Sequence, residues 1–434
     1  MGARVRSDGA RSRPRRTRWL AIPLLLAVFS LLAACSSAGK TSAGSTGTTA
    51  ATPSGTSQAG TTSANWVLGN IGTYSGPTGN PDYAKGIEAW ADWTNAHGGI
   101  SGHTVKVIVM DDQGSPSVAL SDLRELTQQD HVLALVGDYD SQAASYASAV
   151  ETAGVPVVGG DSEYPIYNTN PDFFTTGMST EAEQYTEFEA AKKVGAHAVG
   201  VLYCVTVAAC AQANTTVKAN SRLTGLPVPY FSGISSSAPS YTAQCLGARS
   251  VGANVLDVEA LIPTIVRIGS DCAQQGFQPM FLGGGNGITN AWLSSPMLNG
   301  AVVALPTFPF TDTSAPATRE FQQAMEEYFP NETSSQDFGA GDATEWTGGQ
   351  LFAAAAEAAH LSDHPTPAQV KQGLYALHGE TLGGLVGPLT FTPGKPTAGL
   401  CAFVMQVKGQ KWTEPNGLTP ICMTAADYDQ LADS

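Results

Sequence analysis

Polar residues with ligand-binding chemistry recur just after short apolar runs. Tyr74 and Ser75 follow one run, and Tyr139, Ser141 and Gln142 follow a second. Asp161, Ser162 and Tyr164 follow a third, and Asn286 a fourth. In open parallel sheets, ligands bind beyond the carboxyl ends of the strands, where these residues would stand. Hydroxyls and amides there suit hydrogen bonding to a small polar molecule, and Tyr74, Tyr139 and Tyr164 are candidates to wall a cleft. Ser141 is expected to open a helix, where its hydroxyl and the free N–H groups would meet a carboxylate or another acceptor. Asp161 and Glu163 are the one pair that invites a hydrolase reading. Other catalytic patterns are missing from the sequence. There is no Gly-x-Ser-x-Gly and no Cys-x2-Cys, and Gly283–Gly287 lacks both dinucleotide and phosphate-loop spacing. His360 and His364 stand four apart, but Pro365 ends their helix, so they read as surface residues rather than zinc ligands. We expect no enzyme, no cofactor and no metal.

The elements that would position these residues alternate strand and helix. Trp66–Tyr74, Val105–Met110, Val132–Gly137 and Val155–Gly159 read as strands. Pro81–His97, Pro116–Gln129 and Ser141–Ala153 read as the helices between them. The same order restarts with helix Glu181–Val194 and strand Ala198–Tyr203. It continues through strands Val228–Gly233, Val255–Ala260, Met280–Gly283 and Val302–Leu305. Such βαβ units imply parallel sheets covered by helices, here an α/β fold of two similar lobes. The tail changes character: Leu389–Thr392 and Cys401–Val407 are expected to pair as an antiparallel hairpin through Pro393-Gly394.

The start of the chain reads as an export signal. Seven arginines lie in residues 4–18, an apolar segment runs from Trp19 to Ala34, and Leu32-Ala33-Ala34-Cys35 closes it. This closing string resembles the lipobox of bacterial lipoproteins, which implies cleavage after residue 34 and lipid on Cys35. Residues 1–34 are then a signal peptide. Residues 35–65 are the lipidated cysteine and a Ser/Gly/Thr tether with a reach of about 30 Å. Without the signal the chain carries 15 basic and 36 acidic residues, a net charge of −21. So acidic a surface excludes nucleic acid as a partner and leaves the lipid as the membrane contact. The expected location is outside the cytoplasmic membrane, anchored to its outer face.

The folded region resembles the type I periplasmic-binding-protein superfamily, in its branched-chain amino acid receptor branch. The strings that carry the likeness are Gly69–Pro77, Asn95–Gly102, Asp111-Asp112 with Pro116, Leu135–Gly137 with Ser141, Gly154–Val157 and Gly383–Phe391, in that order. The resemblance implies two Rossmann-like lobes joined by a three-strand hinge, with lobe 1 spanning 66–178 and 307–388 and lobe 2 spanning 179–306 and 389–434. It implies a substrate-binding lipoprotein that captures a small polar ligand between the lobes and passes it to the permease of an ABC transporter. A cell-surface hydrolase or a sensory ligand-binding protein is the alternative. The six cysteines after the lipobox allow fifteen pairings. All six fall in the implied lobe 2, which favours Cys204–Cys210, Cys245–Cys272 and Cys401–Cys422. The family's amino acid binders carry small residues and a threonine where this chain has Asp161-Ser162-Glu163. They carry an acid where it has Gly284–Gly287, and an aromatic-glycine pair where it has Ala208-Ala209. These departures leave the ligand open between an α-amino acid and a molecule bearing a cation or several hydroxyls.

Overall fold

The computed structural model describes residues 63–76, 79–205 and 208–432, with side chains in the first helix turns after residue 208 left aside. The signal segment, Cys35 and nearly all of the tether lie outside the described residues.

The first sheet is built from β1 (Ser63–Gly72), β2 (His103–Asp111), β3 (Leu135–Val136), β4 (Val157–Val158) and β5 (Phe173–Phe174), in the order β2-β1-β3-β4-β5. Every pairing in it is parallel. Between these strands run α1 (Ala84–Ala96), α2 (Pro116–Gln128), α3 (Ala147–Ala153) and α4 (Pro165–Thr169). Their ends follow from local chemistry. Pro116 starts α2 after the extended Ser115, and Gly98-Gly99 ends α1, with the Gly99 N–H returning to the Thr94 carbonyl. Three strands are only two residues long, because loops carrying polar side chains begin at once beyond them. β1 starts at Ser63, so the last residues read as tether pair with β2 through their backbone instead.

A second sheet follows. Its helices and strands are α5 (Thr180–Lys193), β6 (Val199–Cys204), α6 (Ala208–Thr224), β7 (Tyr230–Ile234), α7 (Thr242–Ser250), β8 (Val255–Val258), α8 (Ile262–Gln274), β9 (Met280–Gly284) and β10 (Val302–Leu305). Ser179 caps α5, with Glu181 and Glu183 in its first turn and Lys192 and Lys193 in its last, the charge order that the helix dipole favours. The chain then returns to the first sheet, where α9 (Pro316–Tyr328) and α10 (Ala340–Ala358) pack on α1, and α11 (Pro367–Ala376) packs on α10. β11 (His378–Glu380) and β12 (Leu389–Thr390) form a small antiparallel pair. The tail completes the second sheet with β13 (Cys401–Val407), β14 (Trp412–Thr413) and β15 (Ile421–Cys422), and closes with α12 (Ala425–Ala432). The second sheet runs β14-β13-β10-β9-β8-β6-β7. β6 to β10 are parallel within it, and β13 lies antiparallel to β10. The fold is α/β with a parallel-sheet core in each of two lobes.

Two expectations need correction. Leu389-Thr390 does not form a hairpin with Cys401–Val407: it pairs with β11, while β13 pairs with β10, β14 and β15. The ten residues between β12 and β13 are a crossover, and Phe391 at its start packs on Phe174 of β5. Nor does Ser141 open a helix. A short 3-10 turn spans Ala143–Ser145 and α3 begins only at Ala147. Asp140 takes the backbone N–H of Gln142 with its own carboxylate, a side-chain turn that precedes the 3-10 segment.

Disulfides join Cys245 of α7 to Cys272 of α8, and Cys401 of β13 to Cys422 of β15. Both sit within the second lobe. Closing loops of 27 and 21 residues in this way stabilises by about 3 kcal/mol each in the chain-entropy picture. Cys204 is also disulfide-bonded, but the side chain of Cys210 lies outside the described residues. No described helix is long and apolar enough to cross a membrane.

Candidate ligand site between the lobes

Between the carboxyl ends of the two sheets lies a cavity of about 850 Å³. The first lobe lines it with Gly79, Asn80, Tyr83 and Tyr139. The second supplies Glu183 and Glu187 from α5, the segment following β8 from Asp257, the glycines ending β9, and Trp292. Another cavity, of about 720 Å³, opens beside Leu123, His131 and Val155. It lies at the amino ends of the first-lobe strands, away from the face where parallel sheets hold ligands.

The first lobe presents a braced wall. Glu345 of α10 is fully buried. One of its oxygens accepts the Tyr74 hydroxyl at 2.8 Å and the Tyr139 N–H at 2.9 Å; the other accepts Asn70 Nδ2 at 2.8 Å. Tyr74 also donates to Asn70 Oδ1. Burial pushes the Glu345 carboxyl up to about 8, although those donors pull it down. Tyr74 is therefore a strut behind the wall. Tyr139 faces the cavity, its ring edge-on to Tyr83 at 4.7 Å, and Tyr164 lies 39 % exposed. Ser75 is exposed and donates its N–H to Asp111. Ser141 shares its hydroxyl with Thr73 and receives the Gln142 amide. Ser162 is buried, and its hydroxyl has no partner among the described residues. It sits where a Cβ on Gly177 would collide with it.

Asn286, just after β9, ties the lobes together. Its Nδ2 donates to Asp161 Oδ1 at 2.9 Å, and its Oδ1 accepts the Thr344 hydroxyl at 2.7 Å. Its backbone N–H goes to Glu163, and its carbonyl takes the Tyr83 hydroxyl. Every polar group of this 1 %-exposed residue thus meets the first lobe. The glycine run before it has a steric reason. A Cβ on Gly284 would strike Glu183 Oε1, and one on Gly285 would strike the Glu163 carboxylate; Gly285 also holds φ +81°.

The second lobe presents unbraced acid. Glu183 and Glu187 are one turn apart on α5, and Asp257 and Glu259 stand on and after β8. Burial pushes the carboxyls of Glu183, Glu187 and Asp257 upward, Asp257 to about 8, while Glu259 is exposed. After burial, the further upward pushes on Glu183 come from Glu163, Glu259, Asp257 and Asp161, and those on Glu187 from Asp257, Glu183 and Glu259. Asp257 has one donor, Gln184 Nε2 at 3.4 Å. Glu187, 4 % exposed, accepts no hydrogen bond among the described residues. Arg267 also lines the cavity, but its guanidinium is spent on the carbonyls of Ser236 and Ala238.

Of the strand-exit residues, Tyr139 lines the cavity; Asp161 and Asn286, joined by a hydrogen bond, are not among its lining side chains. Strand-exit reasoning missed Tyr83, Glu345 and the second-lobe acids. Their available signals were Asp257 inside the apolar run of β8 and the Glu183/Glu187 repeat on one helix face.

A sequence model of the family described as periplasmic binding protein matches residues 66–411. An amino acid binding protein of Pseudomonas aeruginosa is 25 % identical over 230 residues, which are 50 % of this chain and 60 % of that one. Among solved structures, a branched chain amino acid ABC transporter protein from Thermus thermophilus with bound valine superposes with a TM-score of 0.70. It has 14 % identity and covers 86 % of this chain and 100 % of its own. A fatty acid ABC transporter substrate-binding protein from Thermomonospora curvata superposes at 0.64, with 16 % identity over 84 % of this chain and 94 % of its own. The same fold thus serves cargo as unlike as valine and fatty acid, so the ligand must be read from the side chains of the site.

Proposed function

The chain belongs to the periplasmic binding protein family, and we propose that it is an extracytoplasmic solute receptor that delivers a small polar organic ligand to an ABC permease. The observation that carries this reading is the cavity between the carboxyl ends of two parallel sheets, with side chains of both lobes on its walls. Closure of the lobes about the three crossovers would bury the ligand and create the surface that a permease reads. In this proposal lobe 1 is 66–178 with 307–388 and lobe 2 is 179–306 with 389–434. The ligand contacts Tyr139 and Tyr164 on one side and the region of Asp161 and Asn286 at the junction. Ser75, Ser141, Gln142 and Ser162 are not among the side chains that line the cavity. Cys35 carries the lipid that holds the protein to the outer face of the membrane. The hydrolase alternative gains no support, because Asp161 and Glu163 are engaged by Asn286.

The test is thermal stabilisation and compaction by X-ray scattering across a panel of amino acids, amides, polyamines and aromatic acids, with product analysis of each mixture. The receptor reading expects one compound class to raise Tm and shrink the particle while remaining chemically intact. Turnover of that compound would replace it with the enzyme reading.

A further inference from the structure

We propose that the cleft binds an organic polycation: a ligand of the polyamine class, with ammonium groups separated by methylene spacers and held by Glu183, Glu187, Asp257 and Glu259. This deepens the receptor reading and rests on it.

Five carboxylates line one cavity, these four and the exposed Asp337, and the only guanidinium lining it is bonded elsewhere. An acidic cluster alone would mean little. The second observation is Glu187, which is 96 % withdrawn from solvent, points into the cavity and has no donor among the described residues. A buried carboxylate left in that condition is expensive unless a partner arrives. Asp257, equally buried, has only the long contact from Gln184. Asp161 and Glu163 of the first lobe add to the same field.

The shape of the site selects among cations. No three acidic, histidine or cysteine side chains among the described residues converge as metal ligands do. The negative groups are spread along the wall, which suits several separated charges better than one ion. Between and beside them lie Ile262, Ile265, Val266, Ile288 and Trp292, apolar surface that matches methylene spacers. Opposite, the rings of Tyr83 and Tyr139 can lie against an ammonium group. A neutral α-amino acid would bring a carboxylate into this field and leave most of the acids unpaired.

The experiment is titration calorimetry and thermal shift on the full-length protein, using spermidine, putrescine, leucine and valine as probes. The expected result is one spermidine per chain, weaker putrescine binding, and no response to leucine or valine. Glu187→Gln and Asp257→Asn are each expected to weaken spermidine at least tenfold, while the apo protein melts no lower than the parent. Glu151→Gln, on an exposed helix position of the first lobe, is expected to change affinity less than twofold. If a second-lobe variant fails to fold, Glu183→Gln serves in its place. Equal losses for Glu151→Gln and Glu187→Gln would mean diffuse attraction to an acidic surface and would overturn the proposal. So would absence of spermidine binding. In that event, stabilisation by leucine or valine would leave the receptor reading standing, whereas silence toward every compound in the wider solute panel would remove both.

Discussion

Glu345 and Glu187 are the same residue type, each on the buried face of a helix beside the same cleft, yet their surroundings are opposite. Glu345 is wrapped by the Tyr74 hydroxyl, the Asn70 amide and the Tyr139 N–H. Glu187 is surrounded by other acids. The first is satisfied within its own lobe and holds three elements in register. The second waits for a positive charge from outside. A buried acid therefore says little about function until its donors are counted.

The comparison can be broken most forcefully at Glu345. Glu345→Leu leaves the Tyr139 N–H and one Asn70 amide N–H without acceptors, while Tyr74 keeps Asn70 Oδ1; at about 1–3 kcal/mol each, we expect a loss of about 2 kcal/mol or more in denaturant unfolding. A loss under about 1 kcal/mol would show that the brace is not structural. Asn286 lies on the border between the two regions. Asn286→Ala removes its Asp161 and Thr344 hydrogen bonds but keeps the backbone ones. It should destabilise by about 2 kcal/mol and expand the apo particle in scattering; an unchanged particle would deny it a cross-lobe role. Glu187→Gln goes the other way, stabilising the apo protein by about 1 kcal/mol, because it removes a buried carboxyl that has no donor among the described residues and is crowded by other acids. Destabilisation by that change would reveal a donor to Glu187 and erase the contrast.

A gentler probe is pH. Glu345 and Asp257 have ordinary values of 4.5 and 3.8 and are raised to about 8 in the fold. The folded state therefore holds protons that the unfolded chain has lost. The stability they contribute is complete below about 4 and is lost as pH rises through about 8. The apo Tm should fall between pH 5 and pH 8.5, and the Asp257→Asn variant should show a shallower slope. A parent Tm that rises over this range would contradict the raised values.

The sequence displayed the alternating framework well, since βαβ periodicity is a property of neighbouring residues. Val302–Leu305 and Cys401–Val407 coincide with their strands because a largely apolar run, broken in the second only by Gln406, has one way to be buried in a covered sheet. The tail pairing was hidden because strand partners are chosen by long-range packing: β12 and β13 are close in sequence but belong to different sheets. The Ser141 turn was hidden for a local reason, since Asp140 accepts the Gln142 N–H in a side-chain turn and a 3-10 turn over Ala143–Ser145 follows before α3. At the site, strand exits were readable and helix faces were not. Glu183 and Glu187 look like the solvated side of an amphipathic helix until the second sheet and the cleft are in place. Asp257 was the better clue, a charge in the middle of the run Val255–Ala260.

The central claim is that the second-lobe acids take a cationic ligand, and that Asp257, raised to about 8 in the empty cleft, gives up its proton to it. Titration of spermidine at pH 6 and pH 8, each in two buffers of different ionisation enthalpy, measures this directly. The account predicts proton release from the protein at pH 6, less release at pH 8, tighter binding at the higher pH, and a smaller release from Asp257→Asn. Spermidine binding that releases no protons and is indifferent to pH would contradict it.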